Sequence, residues 1–319
     1  MVQEITLLPN NPLVSIVVIT YNSVQYVLET LGSAKAQTYR NIELIITDDY
    51  STDNTVEVCR IWINENKNRF VRAEIITAVK NSGISANCNR GAKKADGIWI
   101  KIIAGDDILV PDCIENFMNF SKAFPLAEVI ISKQQSFITS NGIKEFINIR
   151  PELDTDNKLF YEENALPETQ YSYLLERKVL IAGPAYIINK SLLAANNYFN
   201  ERYKLFEDYP LFLKILESGH RVYFLDKVTV EYRLHKDAIS RSGIDSKIYP
   251  DYYKDWFSFL LRYNLKRLKL LYKVNLLLEY LIYRTIVLTG NKGIVLKYLN
   301  DNFKKFLPVH LVEYFKRSR

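Results

Sequence analysis

One stretch constrains this chain more than any other: Trp99-Ile-Lys-Ile-Ile-Ala-Gly-Asp-Asp-Ile-Leu-Val-Pro111, an apolar run that breaks on Gly105 and delivers Asp106 and Asp107 side by side. Residues 98–103 are mostly β-branched or aromatic and lie between Gly97 and Gly105, which suits a short buried strand better than a helix. The two carboxylates then sit at its carboxyl end, where open α/β sheets bind ligands. Hard cations such as Mg²⁺ or Mn²⁺ take oxygen ligands, typically one or two carboxylates plus substrate phosphates. The stretch therefore reads as a metal and sugar-phosphate site. The plainer alternative is a pair of acids capping the next helix. A second pair, Asp48 and Asp49 after the apolar run 42–46, favours the functional reading. Two strands ending in paired acids gather like charge that a cation or a hydrogen-bond donor must share.

The chain of 319 residues is long enough for one large core or two smaller domains sharing a cleft. Ser15–Thr20 predicts a fully buried strand, with Asn22 or Ser23 as N-cap of a helix from Val24 to Ala36. A strand over 42–47, a helix over 56–64, a strand over 73–79 and a helix over 86–95 capped by Ser85 follow, with Gly83 free to take a positive φ. This alternation argues a parallel sheet with right-handed crossovers. There is no Gly-x-Gly-x-x-Gly after the first strand and no Walker loop, which disfavours a dinucleotide dehydrogenase or a phosphate-loop kinase. Further on, 113–123 predicts a helix, 127–132 a strand, 133–166 a variable stretch suited to an acceptor pocket, and 222–225 and 228–233 two strands.

The motifs Ser15-Ile-Val-Val-Ile-Thr-Tyr-Asn22, Gln37-Thr-Tyr39, Glu43-Leu-Ile-Ile-Thr-Asp-Asp-Tyr-Ser-Thr-Asp-Asn-Thr55, Asn81-Ser-Gly-Ile-Ser85, Asn89-Arg-Gly91 and Gly105-Asp-Asp-Ile-Leu-Val-Pro-Asp112 resemble, in order and spacing, family 2 glycosyltransferases of the bacterial surface-polysaccharide type. The resemblance covers residues 14 to 240. It implies an α/β GT-A fold, a Rossmann-like, mostly parallel sheet flanked by helices, here with a C-terminal helical extension. The expected division is a nucleotide-sugar-binding half (1–112), an acceptor and catalytic-base half (113–245) and a basic amphipathic tail (246–319).

The same resemblance implies an inverting, metal-dependent hexosyl transfer from a nucleoside-diphosphate donor, a UDP-sugar above all, to a hydroxyl of a growing, lipid-linked polysaccharide such as O-antigen or capsule. It gives Asp208 as general base with Glu207 as its competitor, and Asp107 as ligand to Mn²⁺ or Mg²⁺ with His235 as a further ligand. Asp106 would take the ribose hydroxyls or the metal, and Asp49 the base N–H of a uracil or thymine flanked by Thr20 and Tyr21. Asn22 and Asn81 complete the donor side, and Arg233, His235 and Arg241 would close over the diphosphate. Residues 181–190 read equally as the acceptor floor and as a core strand with a Gly-Pro kink. One departure is Ala104, where the family's acidic signature often has a further Asp; the metal then depends on fewer protein ligands. The rival readings are a nucleotidyltransferase, which would need a basic Gly-rich loop in place of Thr20-Tyr21-Asn22, and a non-catalytic nucleotide- or carbohydrate-binding module.

The net charge of +6 belongs to the tail, where residues 251–319 hold 14 Lys and Arg against 5 Asp and Glu. No nucleic-acid-binding module accompanies it. Basic amphipathic helices rich in aromatics, as in 256–273, 303–306 and 314–317, predict contact with a membrane surface; packing on the enzyme or in a homo-oligomer is the competing expectation. Three cysteines at no metal-ligand spacing, no basic residue ahead of the first apolar run and no span-length apolar stretch predict a cytoplasmic protein, peripheral on the inner face of the membrane.

Overall fold

The computed structural model describes residues 10–154, 157–179, 181, 183–235, 238 and 250–288. They fall into two compact units, one built from residues up to 174 and 178–234, the other from 175–177 and the chain from 235 onward.

In the first unit the chain alternates β1 (Val14–Thr20), α1 (Val27–Lys35), β2 (Ile42–Asp48), α2 (Thr55–Asn66), β3 (Ala73–Thr77), α3 (Ile84–Lys94) and β4 (Trp99–Ala104). These four strands pair in parallel in the order β3-β2-β1-β4. Successive strands step outward from β1 to β3, then α3 carries the chain back to the other flank of β1. The order reverses between β1 and β4, and a crevice forms outside the strand tips at such a reversal. Thr20 pairs in register with Asp48, and Ile19 with Ala104, so both acid pairs flank the end of β1.

β1 is buried on both faces, as its four consecutive apolar residues require of a central parallel strand. Val14, Ile16 and Val18 join a core with residues of α1, α2 and α4 (Cys113–Ala123). On the opposite face α3 lies so close that a Cβ at Gly91 would come within 2.3 Å of Val17. Glycine is what permits that approach.

The sheet continues with β5 (Ile108–Leu109), β6 (Val129–Ser140) and β7 (Ile143–Arg150), then, after α5 (Lys158–Tyr161) and α6 (Pro167–Leu175), with β8 (Tyr186–Asn189). α7 (Lys190–Ala195), α8 (Asp208–Glu217) and β9 (Tyr223–Arg233) complete the unit. The nine strands run β3-β2-β1-β4-β8-β6-β9-β5, with β7 hydrogen-bonded to β6. The second unit holds α9 (Pro250–Phe259), a π-helical turn at Leu260–Asn264, α10 (Leu265–Arg267) and α11 (Leu270–Leu288). There Tyr253 and Phe257 pack on Tyr283, and Arg177 forks onto Glu279 at 2.6 and 3.0 Å.

Four local expectations are corrected. α1 starts at Val27 without a side-chain cap, because Asn22 takes φ +50°, donates its backbone N–H to the Ser51 hydroxyl and accepts the Thr52 N–H on its side-chain oxygen instead. Ser85 does not cap α3; its hydroxyl donates to the Tyr203 carbonyl, and Gly83, at φ +94°, precedes the helix. Residues 133–150 form the regular hairpin β6–β7 rather than a variable stretch. Residues 223–233 form one strand, kept continuous by register shifts against β6 around Lys133.

Candidate active site

Asp48 and Asp49 end β2 as acceptors with three donors each. Asp48 receives the Thr20 hydroxyl at 2.8 Å, the Ser51 N–H at 2.8 Å and the Ser51 hydroxyl at 2.5 Å. Asp49 receives the N–H groups of Ser82 at 2.9 Å and Gly83 at 2.7 Å on one oxygen, and Arg90 at 3.2 Å on the other. Asp49 thereby fixes the turn that begins α3 and leaves Asn81 exposed on it. Tyr21 is exposed beside this turn-bearing strand tip, while Thr20 is buried with its hydroxyl committed to Asp48.

The head of α3 is held from the far side by residues 199–206. Asn89 exchanges two hydrogen bonds of 2.9 Å with the Phe199 backbone, and the Ser85 N–H donates to the Lys204 carbonyl at 3.2 Å. A Cβ at Gly83 would lie 2.8 Å from that carbonyl. This strap runs directly into Glu207 and Asp208, so α3 connects Asp49 to the third acid pair. The buried thiol of Cys88 on α3 is pushed up by burial and by the charges of Glu207, Asp208 and Asp49.

Glu207 and Asp208 are half-buried at the start of α8. Burial, with the neighbouring Asp208 charge, pushes Glu207 up to about 8. Burial pushes Asp208 up to about 6, opposed by the Tyr209 N–H that donates to it at 2.7 Å. Gly183 lies beneath: a Cβ there would be 3.3 Å from Asp208 Oδ2. In the 181–190 segment Gly183 lies against Asp208 and Tyr186–Asn189 form the core strand β8.

Asp106 and Asp107 sit on the turn between β4 and β5. Asp107 is buried and accepts the Arg233 N–H at 3.0 Å, yet its carboxyl stays well above the ordinary range through burial and the Asp106 charge. The Thr30 hydroxyl holds the Asp107 carbonyl at 2.7 Å. Arg233 ends β9 as a buried strut. Its guanidinium donates to the Asp106 carbonyl at 2.8 Å, Thr139 at 3.1 Å and Glu29 at 2.8 Å, and lies 4.7 Å from the Tyr26 and Phe137 ring centres. His235 opens the second unit, and Arg241 lies outside the described residues.

Among the described residues no three His, Cys, Asp or Glu side chains gather as a metal-binding group. Two adjacent carboxylates under like-charge stress are a donor set that a hard divalent cation relieves, with phosphate oxygens completing its shell. Asp106 and Asp107 fit that partial set.

The residue missed in the sequence is Arg90. It touches Asp49, Asn87, Thr47 and the Asp48 carbonyl, and so braces the whole tip of β2. Its signal was a cation on the same face as Asn87, one residue before a glycine needed for close packing.

The model of glycosyl transferase family 2 matches residues 15–183, more than half of the chain. The chain belongs to glycosyl transferase family 2. Among relatives of this family 2 member, an uncharacterized glycosyltransferase of Rickettsia typhi is 27% identical over 250 residues, covering 78% of this chain and 72% of that one. Glycosyltransferase GlyG of Streptococcus pneumoniae is 26% identical over 237 residues, covering 73% and 74%. Uncharacterized glycosyltransferases of Rickettsia bellii and Rickettsia felis, 28% identical over 232 residues, are matched over only 31% and 35% of their own length. The structure of S. aureus TarS 1-349 in complex with UDP-GlcNAc superposes with a TM-score of 0.57 at 22% identity, covering 85% of this chain and 72% of that one. This confirms the GT-A type of fold, a mostly parallel sheet flanked by helices, with helices at the C-terminal end.

Proposed function

We propose that this glycosyltransferase moves a sugar, with inversion, from a UDP-sugar to a hydroxyl of a growing, lipid-linked saccharide of the surface-polysaccharide kind. The observation that carries the reading is the acid pair at the head of α8, with Gly183 against Asp208 and the preceding residues 199–204 bonded to α3, whose first turn Asp49 holds. The fold partner TarS was captured with UDP-GlcNAc and with UDP, which supports a uridine nucleotide as leaving group.

The pair divides the labour. With Asp208 at about 6 and Glu207 at about 8, Asp208 is ionised near neutral pH while Glu207 keeps its proton. A general base must be ionised yet basic enough to accept a proton at working pH, and Asp208 meets both demands. Asp208 takes the proton of the acceptor hydroxyl as its oxygen bonds to the anomeric carbon. The bond from that carbon to the diphosphate oxygen breaks on the opposite face, and UDP leaves with the electron pair. An α-linked donor then yields a β-linkage. Asp49, held by Ser82, Gly83 and Arg90, presents its remaining acceptor capacity to a base N–H, and Tyr21 flanks the ring.

Asp106 and Asp107 would hold Mn²⁺ or Mg²⁺ together with the diphosphate; such an ion, when bound, neutralises charge on the leaving group. The experiment is Asp208→Asn, assayed as UDP released from a UDP-sugar chosen by thermal shift. Turnover falls by orders of magnitude with UDP binding retained; a variant that keeps near-normal turnover removes Asp208 from the mechanism. A module that only binds would release no UDP in either form.

Contact with anionic membrane lipid is supported by α11, in the second unit. It exposes Leu270, Val274, Leu277, Leu281 and Leu288 along one stripe, and Lys266, Arg267 and Lys269 stand exposed just before it. No helix among the described residues is long and apolar enough to cross a membrane. Co-flotation with phosphatidylglycerol vesicles that is lost on Leu277→Ser plus Leu281→Ser supports the reading; recovery in solution in both cases ends it.

A further inference from the structure

Lys101 is a charge that nothing above uses. It lies in the middle of β4, in register with Ile16 of β1, and is completely shielded from solvent. An ammonium in such a place is costly unless it is paired, and an apolar side chain of its length would fill the space at lower cost. Its Nζ donates to the carbonyl of Pro184 and reaches the Ile102 carbonyl at 3.4 Å. Burial pulls it down to about 8, and its charge acts on Cys113 and Asp107.

Pro184 is the residue after Gly183, the floor beneath Asp208. The next carbonyl, of Ala185, is held by the Ser132 N–H at 2.8 Å and the Ser132 hydroxyl at 3.2 Å, and Ser132 contacts the Thr229 hydroxyl at 2.6 Å. A buried polar chain thus anchors the 184–185 peptides from one side, with Lys101 anchoring them from β4, the strand that leads into the Asp107 turn. Lys101 joins β4, the strand that leads into the acid turn, to the floor under the general base.

We propose that Lys101 is a positioning residue that ties the floor under Asp208 to the Asp106–Asp107 turn, fixing the distance between the base and the leaving-group site. Its effect on turnover rests on the glycosyl-transfer reading; its effect on the floor does not.

The test is Lys101→Met, which keeps the length and removes the charge and donor, read by hydrogen–deuterium exchange, melting temperature and kinetics. The variant melts at or above the wild-type temperature, because the buried charge is gone. Peptides spanning 183–189 and 104–110 exchange faster while β1 and β2 keep their protection. Turnover drops roughly tenfold to a hundredfold with KM for the UDP-sugar little changed, as misplacement of a catalytic group by about an ångström does. Unchanged exchange over 183–189, or a lower melting temperature with faster exchange throughout the sheet, overturns the proposal in favour of a plain core residue. Should Lys101→Met fold poorly, Lys101→Gln, which retains a donor, is measured in its place, and protection of 183–189 intermediate between a loose and a fixed floor is required. If the wild type releases no UDP from any UDP-sugar, the glycosyl-transfer reading fails, and the exchange result still decides for or against Lys101 as the tie.

Discussion

The chain carries two acid pairs at the tips of neighbouring parallel strands, and they differ in how their charge is met. Asp48 and Asp49 have six donors between them, three of them backbone N–H or Arg90 contacts on Asp49. Asp107 has the Arg233 N–H and an adjacent negative charge, and its carboxyl remains well above the usual range. Identical dipeptides thus do opposite work. The first pair spends its hydrogen bonds on building the strand tip and α3, whereas the second keeps an unmet demand for positive charge that a ligand can satisfy.

Breaking the donor-rich pair has the largest effect on stability. Asp49→Ala strands two N–H groups and Arg90, and about 3 kcal/mol or more is lost, read as a lowered urea midpoint with UDP binding lost as well. Asp107→Asn sharpens the contrast by moving the other way. A carboxyl whose folded pKa is raised holds its proton more tightly folded than unfolded, so the folded state loses stability as pH rises above the ordinary carboxylate range. The Asn variant escapes that loss and melts a few degrees higher at pH 8, while UDP release collapses; a lower melting temperature would mean that Asp107 is a structural acid like Asp49.

The third pair gives a pH signature between these extremes. UDP release rises through a limb near pH 6 as Asp208 loses its proton, and falls above pH 8 as Glu207 loses its own. Glu207→Gln removes the alkaline limb and leaves the acid one. The smallest effect is that of Ser51→Ala, which removes the hydroxyl on Asp48 but leaves the Ser51 N–H in place. It costs about 1 kcal/mol with UDP release unchanged.

Much of this was legible before the structure. β1, β2 and β4 follow from runs of apolar residues that only a sheet covered on both faces can bury, and the acid pairs mark where those runs end. Gly83 takes the positive φ expected of it. Legibility failed where a polar side chain had a choice of partner. Asn22, Ser23 and Ser85 are all competent caps, but the Asn22 side-chain oxygen accepts from Thr52 and the Ser85 hydroxyl donates to the Tyr203 carbonyl, groups brought from distant parts of the chain, while the Ser23 hydroxyl bonds locally to Tyr21. The hairpin β6–β7 was hidden because β7 is an edge strand whose outward residues include Ile143, Ile147 and Ile149, so its two faces do not alternate in polarity.

The sequence by itself determined the parallel α/β core, the order of its elements and the family, since each depends on local pattern and spacing that survive without any knowledge of contacts. Tertiary structure alone decided how the charge of each acid is met. That difference rests on which donors, charges and layers of protein come within a few ångströms of each carboxylate, and those neighbours, Arg90 for Asp49, Arg233 for Asp107, and Gly183 beside Asp208, are brought there from elsewhere in the chain by folding.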